Sequence, residues 1–237
     1  MLDWHGAWQA VTHHPLFCIG ITLAAYQLAL AAYERTRWVF LQPVLVSMAM
    51  VIGVLLLTGI DYPAYMSGVS VLTVLLGPAT VALAVPLFLN LRRIRQLFWP
   101  TLITLLVGGP VATAAGVGLA WLFGVRGELL MSLAPKSVTS PIAMLVAHQI
   151  GGVAALAAVF VLITGVIGAM LGPELLRRIG VHHPAAQGMA LGMTAHAVGT
   201  SRALQEGEEC GAFAALAMSL MGVATAVLLP LAVALIA

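Results

Sequence analysis

The stretch LAPKSVTSPIAM, residues 133–144, places a single ammonium group among several hydroxyls. Lys136 is the only lysine of the 237 residues, and it lies between Pro135 and Pro141. The hydroxyl side chains of this stretch belong to Ser137, Thr139 and Ser140. Because a proline disfavours helix at the residue before it and has no backbone N–H to donate, this stretch is predicted to interrupt a helix.

A break of this kind has the groups that a small carboxylate needs. We expect one helix to end at Ala134 and a new one to begin near Val138, with the second proline in its first turn. The first turn of a helix has free N–H groups and the positive end of the helix dipole, which bind anions. Ser137 and Thr139 would either cap the new helix or contact a hydroxyl of the ligand, and Lys136 would supply the counter-charge.

A second stretch, residues 185–204, combines small residues with a histidine and an arginine. Four residues at i+4 spacing share one face of a helix: Gly188, Gly192, His196 and Thr200. His196 could carry a proton or hydrogen-bond a ligand, and Arg202 could clamp a carboxylate. Two alternatives stay open: the glycines only let helices pack closely, and Arg202 pairs with Glu206 one helical turn later.

The elements that position these residues must lie in a lipid bilayer. The chain is 62% apolar and 8% charged, with a mean hydropathy of +1.07, whereas a soluble domain has about 25% charged residues. Each charge-free run exceeds the roughly 20 residues that cross a bilayer core. These runs are residues 4–33, 38–60, 62–91, 96–125, 137–173, 179–201 and 210–237. The sequence predicts an all-α, polytopic helical membrane protein.

Residues 1–237 are predicted to form a single transmembrane domain with about six to eight membrane segments. The predicted spans are about 15–33, 38–59, 64–91, 98–123, 152–173 and 209–236, with less regular segments at 129–150 and 184–203. In this setting Lys136 has an alternative interpretation, in which it extends from a short loop to the membrane interface.

Three segments are predicted to be interrupted at membrane depth: residues 75–86, 133–144 and 194–208. The first two align without gaps at an offset of 57, which places Thr80 opposite Ser137. Paired Gly/Pro-interrupted segments are typical of transporters built from internal repeats, so Thr80 joins the candidate binding residues. The alternative is two unrelated proline kinks.

Basic clusters predict the topology. Residues 34–37, 92–95 and 174–178 are basic and should face the cytoplasm, with the N-terminus outside. If 129–150 and 152–173 both crossed fully, the third cluster would lie on the wrong side. A re-entrant hairpin at 129–150 removes the conflict, although charges alone do not decide it.

Other chemistry has weaker support. Glu206, Glu208 and Glu209 are expected in a solvated loop. The histidine pairs at 13–14 and 182–183 lack companion ligands, so neither a metal nor a cofactor is expected. The chain has no phosphate-binding loop, nucleophile elbow or HExxH motif, so we expect no enzyme activity, and its small net charge does not indicate a nucleic-acid partner.

Several long motifs resemble one known family. LLGPATVALAVPL, LAPKSVTSPIAM, FVLITGVIGAMLGP and GMALGMTAHAVGTSRALQEGEECGAFAALAMSLMGVATAVLLP are similar to the LrgB/CidB family, which includes the YohK-like proteins, over residues 35–235. The resemblance implies a multi-pass protein of the bacterial inner membrane with a small LrgA/CidA-like membrane partner. It also implies a link to holin-like control of murein hydrolases, or to transport, since a plastid relative translocates glycolate and glycerate and bacterial relatives are linked to pyruvate.

Two functions therefore compete. We expect a transporter of a small monocarboxylate such as glycolate, glycerate or pyruvate, coupled to protons; the alternative is an antiholin-like regulator of murein hydrolases and lysis. The family implies no settled residue roles, so the predicted substrate-binding set comes from the residues themselves: Thr80, Lys136, Ser137, Thr139, Ser140, His196, Thr200 and Arg202. The sequence leaves homo-oligomerisation open.

Overall fold

The computed structural model describes residues 14–36, 38 and 41–236, without the side chains of residues 76, 80 and 236. Every regular element in this part of the chain is helical, which confirms the all-α prediction. The chain divides into two compact units, Met1–Ala82 and Leu83–Ala237.

The described part of the first unit has four helices: α1 (Pro15–Thr36), α2 (Pro43–Thr58), α3 (Tyr62–Gly68) and α4 (Ser70–Ala82). Gly59 ends α2 with a positive φ of 73°, and the Asp61 carboxylate caps α3 by accepting a hydrogen bond from the Ala64 N–H at 3.0 Å. The chain bends by 117° between α2 and α3. Pro78 lies inside α4, so the helix continues through this proline, and the break within the predicted interruption at 75–86 is the turn at Leu83, after α4.

The second unit contains the remaining described helices. They are α5 (Ala84–Leu89), α6 (Leu91–Gln96), α7 (Phe98–Ile103), a π-helical turn (Thr104–Gly108), α8 (Gly109–Leu122), α9 (Gly127–Leu133), α10 (Ser140–Gln149), α11 (Ala154–Arg178), α12 (Pro184–Glu206) and α13 (Glu208–Ile236). Pro110, in the first turn of α8, cannot donate a backbone hydrogen bond, and the helix widens into the π turn just before it.

Five described helical stretches are long and apolar enough to cross a membrane, or six if the bent pair α2–α3 counts as one. The five are Pro15–Thr36, Ser70–Leu89, Phe98–Leu122, Ala154–Arg178 and Glu208–Leu235. Large apolar side chains such as Leu57, Phe123 and Leu235 are more than four-fifths exposed, which is costly in water and ordinary in lipid. The chain is therefore a multi-pass membrane protein, as predicted.

The chain between α9 and α11 forms a hairpin, whose two ends lie close together. The Val153 N–H, just before α11, donates a 2.7 Å hydrogen bond to the Ser132 Oγ near the end of α9. The intervening chain breaks after Leu133 and resumes helix at Ser140. We call residues 127–153 the first hairpin. Its ten-residue return helix is about 15 Å long, roughly half the thickness of a bilayer core.

Helix α12 also folds back on itself. His196 has φ 42° and ψ −132°, outside any helical conformation. A Cβ added at Gly199 would lie 2.5 Å from the Leu191 carbonyl oxygen, whereas residues eight apart in a straight helix are about 12 Å apart. We call residues 184–206 the second hairpin, with His196 at its tip. The twelve residues before the tip are about 18 Å long.

Hydrogen bonds and ion pairs of two arginines hold the beginning and the end of the second hairpin at one end of the unit. Arg93 of α6 lies 3.1 Å from the His183 ring, just before the hairpin, and 3.0 Å from the Glu209 carboxylate, just after it. Arg177, at the end of α11, lies 3.3 Å from the Glu206 carboxylate. We call this end of the unit, where Arg93 and Arg177 contact Glu209 and Glu206, the arginine end.

The position of the arginine end also indicates the path of the chain through the first hairpin. Phe98–Leu122 leads away from this end and Ala154–Arg178 returns to it, and both are long enough to cross the bilayer. Residues 127–153 between them begin and end near the far ends of these two stretches, as expected for a re-entrant segment. This path agrees with the interpretation that reconciles the basic clusters at 92–95 and 174–178. The re-entrant topology and the cytoplasmic location of both clusters stay predictions.

Candidate functional site

Lys136 lies at the tip of the first hairpin without a charged partner. Its Nζ donates to the Ser137 Oγ at 3.3 Å, and among the described residues no carboxylate lies within ion-pair distance of it. Its aliphatic chain packs on Gly116 of α8, where an added Cβ would lie 2.5 Å from the Lys136 Cε. The lysine is half-buried and Ser137 is buried, so the neighbour that the ammonium contacts is a neutral hydroxyl.

The backbone around Lys136 follows the sequence prediction closely. The preceding helix ends at Leu133 with Ala134 as its C-cap. The next one begins at Ser140, two residues later than expected, with Pro141 in its first turn. Thr139 occupies the N-cap position but no side chain caps the helix, so of the two predicted roles of the hydroxyls, capping is not seen.

The amino end of α10 is therefore open toward the hairpin tip. The hydroxyls of Thr139 and Ser140 are half-buried and have no hydrogen-bond partner among the described residues. Free N–H groups, the positive helix end, two free hydroxyls and the Lys136 ammonium thus occur within five residues. This arrangement can bind a small anion that also has a hydrogen-bonding substituent.

His196 forms the tip of the second hairpin and is 4% exposed. Its Nε2 lies 2.9 Å from the Val161 carbonyl oxygen of α11 and, since a carbonyl only accepts, must donate to it. The ring fits into a gap at Gly165, where an added Cβ would lie 2.5 Å from Nε2. The ring is bonded to backbone in this structure, and its predicted role in proton transfer stays a prediction.

Thr200 and Arg202 already have partners within the protein. The Thr200 hydroxyl is buried, donates to the His196 carbonyl oxygen at 2.9 Å and lies 3.7 Å from the Met218 sulfur. Arg202 forms an ion pair with Glu206 and donates to the Gln205 side chain at 3.0 Å. The local pairing that the sequence offered as an alternative for Arg202 is thus present.

The structure brings together some of the predicted residues and not others. Lys136, Ser137, Thr139 and Ser140 form one tip, whereas no described contact joins Lys136 to His196, Thr200 or Arg202. The two tips share one apolar cluster, which contains Val138 of the first tip and Val161, the acceptor of the His196 hydrogen bond. Thr80 belongs to the other unit, and its side chain lies outside the described part of the chain.

Two features of the site had no signal in the sequence. Gly116 is one of 24 glycines, and only the fold shows that its missing side chain makes room for Lys136. The acidic residues expected in a solvated loop form ion pairs with arginines of other helices, Glu206 with Arg177 and Glu209 with Arg93. Both features depend on contacts between residues far apart in the chain.

An apolar cavity of about 550 Å³ lies beside the first hairpin, between α8 and α13. Met131 and Ala134 of the hairpin form part of its wall, and no charged side chain of the described residues lines it. The cavity suits aliphatic contents and not a carboxylate, so the tip at Lys136 remains the candidate anion site.

Comparisons with known proteins agree with the architecture. Residues 22–235 match the LrgB-like family. The uncharacterized Bacillus subtilis proteins YxaC and YwbG are 38% and 35% identical to this chain, over 88% and 86% of its length and 90% and 91% of theirs. The antiholin-like protein LrgB of Bacillus mycoides is 30% identical over 94% of this chain and 97% of its own. No solved structure matches. Because the family match covers both hairpins and nearly the whole sequence, this chain belongs to the LrgB-like family.

Proposed function

We propose that this protein transports a small monocarboxylate across the bacterial inner membrane and binds it at the tip of the first hairpin. The observation that carries the proposal is the half-buried Lys136, which has no acidic partner among the described residues. An ammonium near the centre of a bilayer costs about 2.5–3.5 kcal/mol on insertion scales. A carboxylate ligand would offset that cost.

The groups around Lys136 favour a singly charged substrate with a second polar group. One ammonium balances one carboxylate, and the amino end of α10 adds a partial positive charge. The free hydroxyls of Thr139 and Ser140 suit a hydroxyl or oxo group next to the carboxylate, as in glycolate, glycerate or pyruvate. A dicarboxylate would leave one negative charge without a counter-charge in this tip.

The arrangement of the hairpins supports transport. Two interrupted segments enter from opposite ends of the unit, and irregular backbone at membrane depth is tolerated where protein or a water-filled cavity satisfies it. Transporters use such broken helices to hold substrates near the membrane midplane. Proton coupling through His196 is part of the proposal and is tested separately, by the pH dependence of uptake in His196→Gln.

Uptake into proteoliposomes tests the proposal. Radiolabelled glycolate, glycerate and pyruvate are offered to vesicles with the wild type, Lys136→Met or Lys136→Arg. We expect Lys136→Met to insert as well as the wild type and to lose at least about 99% of uptake, because a buried carboxylate without its partner costs about 3–5 kcal/mol. Lys136→Arg should restore only part of the rate, since a planar guanidinium does not replace a compact ammonium.

The matched control is Arg126→Gln, immediately before the first hairpin. Arg126 stacks on Trp121, 4.6 Å from the ring centroid, and is exposed, so its loss should leave uptake within about twofold of the wild type. Normal uptake by Lys136→Met would contradict the proposal.

A second function is favoured by the relatives, since several 30% identical proteins are named antiholin-like protein LrgB. In that case the protein would regulate murein hydrolases and lysis together with a small LrgA/CidA-like membrane partner. The two functions separate in vesicles that contain this chain alone: transport predicts Lys136-dependent uptake there, and a purely regulatory role predicts none.

A further inference from the structure

The second hairpin and α13 are packed as one body. Gly188 and Gly192 lie directly on the α13 backbone, where an added Cβ would meet the carbonyl oxygens of Cys210 and Ala214. At the other side of the turn, the Leu204 side chain packs on Gly211, and a Cβ there would lie within 3.0 Å of its atoms. Contacts this close involve the main chains themselves, so the two elements cannot shift against each other without losing them.

The face between the second hairpin and α11 is different. Gly165, Gly168 and Gly172 form a stripe on α11 that faces His196, Ala195 and Leu191 of the hairpin. Along this stripe the only polar contact among the described residues is the hydrogen bond from the His196 ring to the Val161 carbonyl. At these glycines the atoms nearest to an added Cβ belong to side chains of the hairpin, whereas at Gly188 and Gly192 they are backbone carbonyl oxygens. A shift at this face therefore displaces side chains and one hydrogen bond without separating two main chains in direct contact.

The ion pairs that join the second hairpin and α13 to the neighbouring helices lie at the arginine end, away from the His196–Val161 hydrogen bond. Glu209 pairs with Arg93, Glu206 pairs with Arg177, and the Asn90 amide donates to Glu208 at 3.2 Å. The glutamates belong to the second hairpin or to α13. Their partners lie in neighbouring elements: Arg93 in α6, Arg177 in α11 and Asn90 between α5 and α6. Arg93 contacts residues on both sides of the hairpin, through His183 and Glu209.

We propose that the second hairpin and α13 move together against α11 as the gate on the arginine end, and that Arg93 and Arg177 latch the closed state. The inference rests on the proposed function, because a gate has meaning for a site that must open to each side of the membrane in turn. Exposed ion pairs are individually weak, which suits a latch that must also open.

The structure offers a matched pair of variants in neighbouring residues. Arg177 bridges α11 to Glu206 of the hairpin, whereas Arg178 pairs at 2.8 Å with Glu174 of its own helix. Both are exposed guanidinium groups at the end of α11. Replacing either by Gln removes the same charge, but only Arg177→Gln removes a contact across the proposed gate.

Hydrogen exchange of the protein in lipid nanodiscs tests the latch. We expect Arg93→Gln and Arg177→Gln each to speed amide exchange in residues 184–215 by roughly two- to fivefold, because opening of the gate exposes these amides. Arg178→Gln should leave exchange at the wild-type rate. The charge exchange Arg93→Glu with Glu209→Arg should restore slow exchange.

Wild-type exchange in both Arg93→Gln and Arg177→Gln would overturn the latch, and so would an equal increase in Arg178→Gln. The measurement needs no transported substrate. A failed latch would therefore leave the uptake result for Lys136 standing, and a failed uptake result would not change the exchange rates.

Discussion

The two hairpins reach into the same helical unit from opposite ends, yet their sequences stop the helix in different ways. In the first hairpin Pro135 and Pro141 border a break in which residues 134–139 are not helical. In the second, a single residue with an unusual backbone, His196, turns an otherwise continuous 23-residue helix back on itself.

The difference separates the roles of the two hairpins. A break bordered by prolines has few alternative conformations and leaves N–H groups and hydroxyls without partners in the protein, which suits binding. The second tip satisfies its own polar groups, since Thr200 bonds the His196 carbonyl and the ring bonds Val161. Its other contacts with α11 place the side chains of His196, Ala195 and Leu191 against glycines, and we assign them to movement and not to binding. A re-entrant shape alone therefore does not define a binding site.

The largest effect on stability is expected from a substitution that disrupts the packing of the second hairpin on α13. Gly192→Ala should destabilise the folded protein by about 1–3 kcal/mol, because the added methyl group would meet the Ala214 backbone and push α13 away. The control is Gly118→Ala in α8. A Cβ added at Gly118 would have no atom of another described helix within 4 Å, so this substitution should be neutral or stabilise the protein by up to about 1 kcal/mol. Unfolding in mixed micelles measures both, and equal stability of the two variants would show that the hairpin is not packed on α13 as described.

The next prediction separates the hydroxyls of the two tips. Thr139→Val and Ser140→Ala should each raise the KM for uptake by about three- to tenfold, because each removes one hydrogen bond to the substrate. Thr200→Val should leave KM unchanged, since its hydroxyl is bonded to backbone inside the second hairpin. A higher KM in Thr200→Val alone would move the binding site to the second tip.

A smaller effect is expected from two substitutions that report the backbone strain at His196. Both His196→Ala and His196→Gly lose the hydrogen bond to Val161, but only glycine adopts φ 42°, ψ −132° without a Cβ clash. We expect the glycine variant to be the more stable by about 1 kcal/mol, the reverse of the usual order in a helix. Melting temperatures of the two variants decide it, and a less stable glycine variant would mean that the tip is not strained.

Much of the fold was predictable because it depends on local chemistry. Span 98–123 is observed as the helical stretch Phe98–Leu122 and span 209–236 as the helix Glu208–Ile236, since apolar length decides what can cross a bilayer. The interruption at 133–144 followed from its prolines, and that at 194–208 is present at His196. At Pro78, however, the helix continues, because a proline kinks a helix without necessarily ending it. The proposed repeat between these two proline segments stays a prediction.

The site was predictable only in part. The rare residue type and its prolines led to Lys136, and residue spacing offered the pairing of Arg202 with Glu206. The unusual backbone of His196 had no signal, because the sequence there, AHAVG, contains a glycine only three residues after the turn. The burial of Thr200 against α13 and the pairing of Arg93 with Glu209 depend on how distant helices pack, which residue spacing does not encode.

The central claim is that the Lys136 ammonium recognises the charge of a carboxylate. Its most direct test compares the equilibrium binding of two ligands to the purified protein. One is the carboxylate that the uptake assay identifies as substrate, and the other is its neutral amide, for instance glycolate and glycolamide. The wild type should bind the carboxylate about 10- to 100-fold more tightly than the amide, as expected for a charge-assisted hydrogen bond. Lys136→Met should bind both equally weakly. If Lys136→Met keeps the wild-type preference for the carboxylate, the counter-charge lies elsewhere and the claim is wrong.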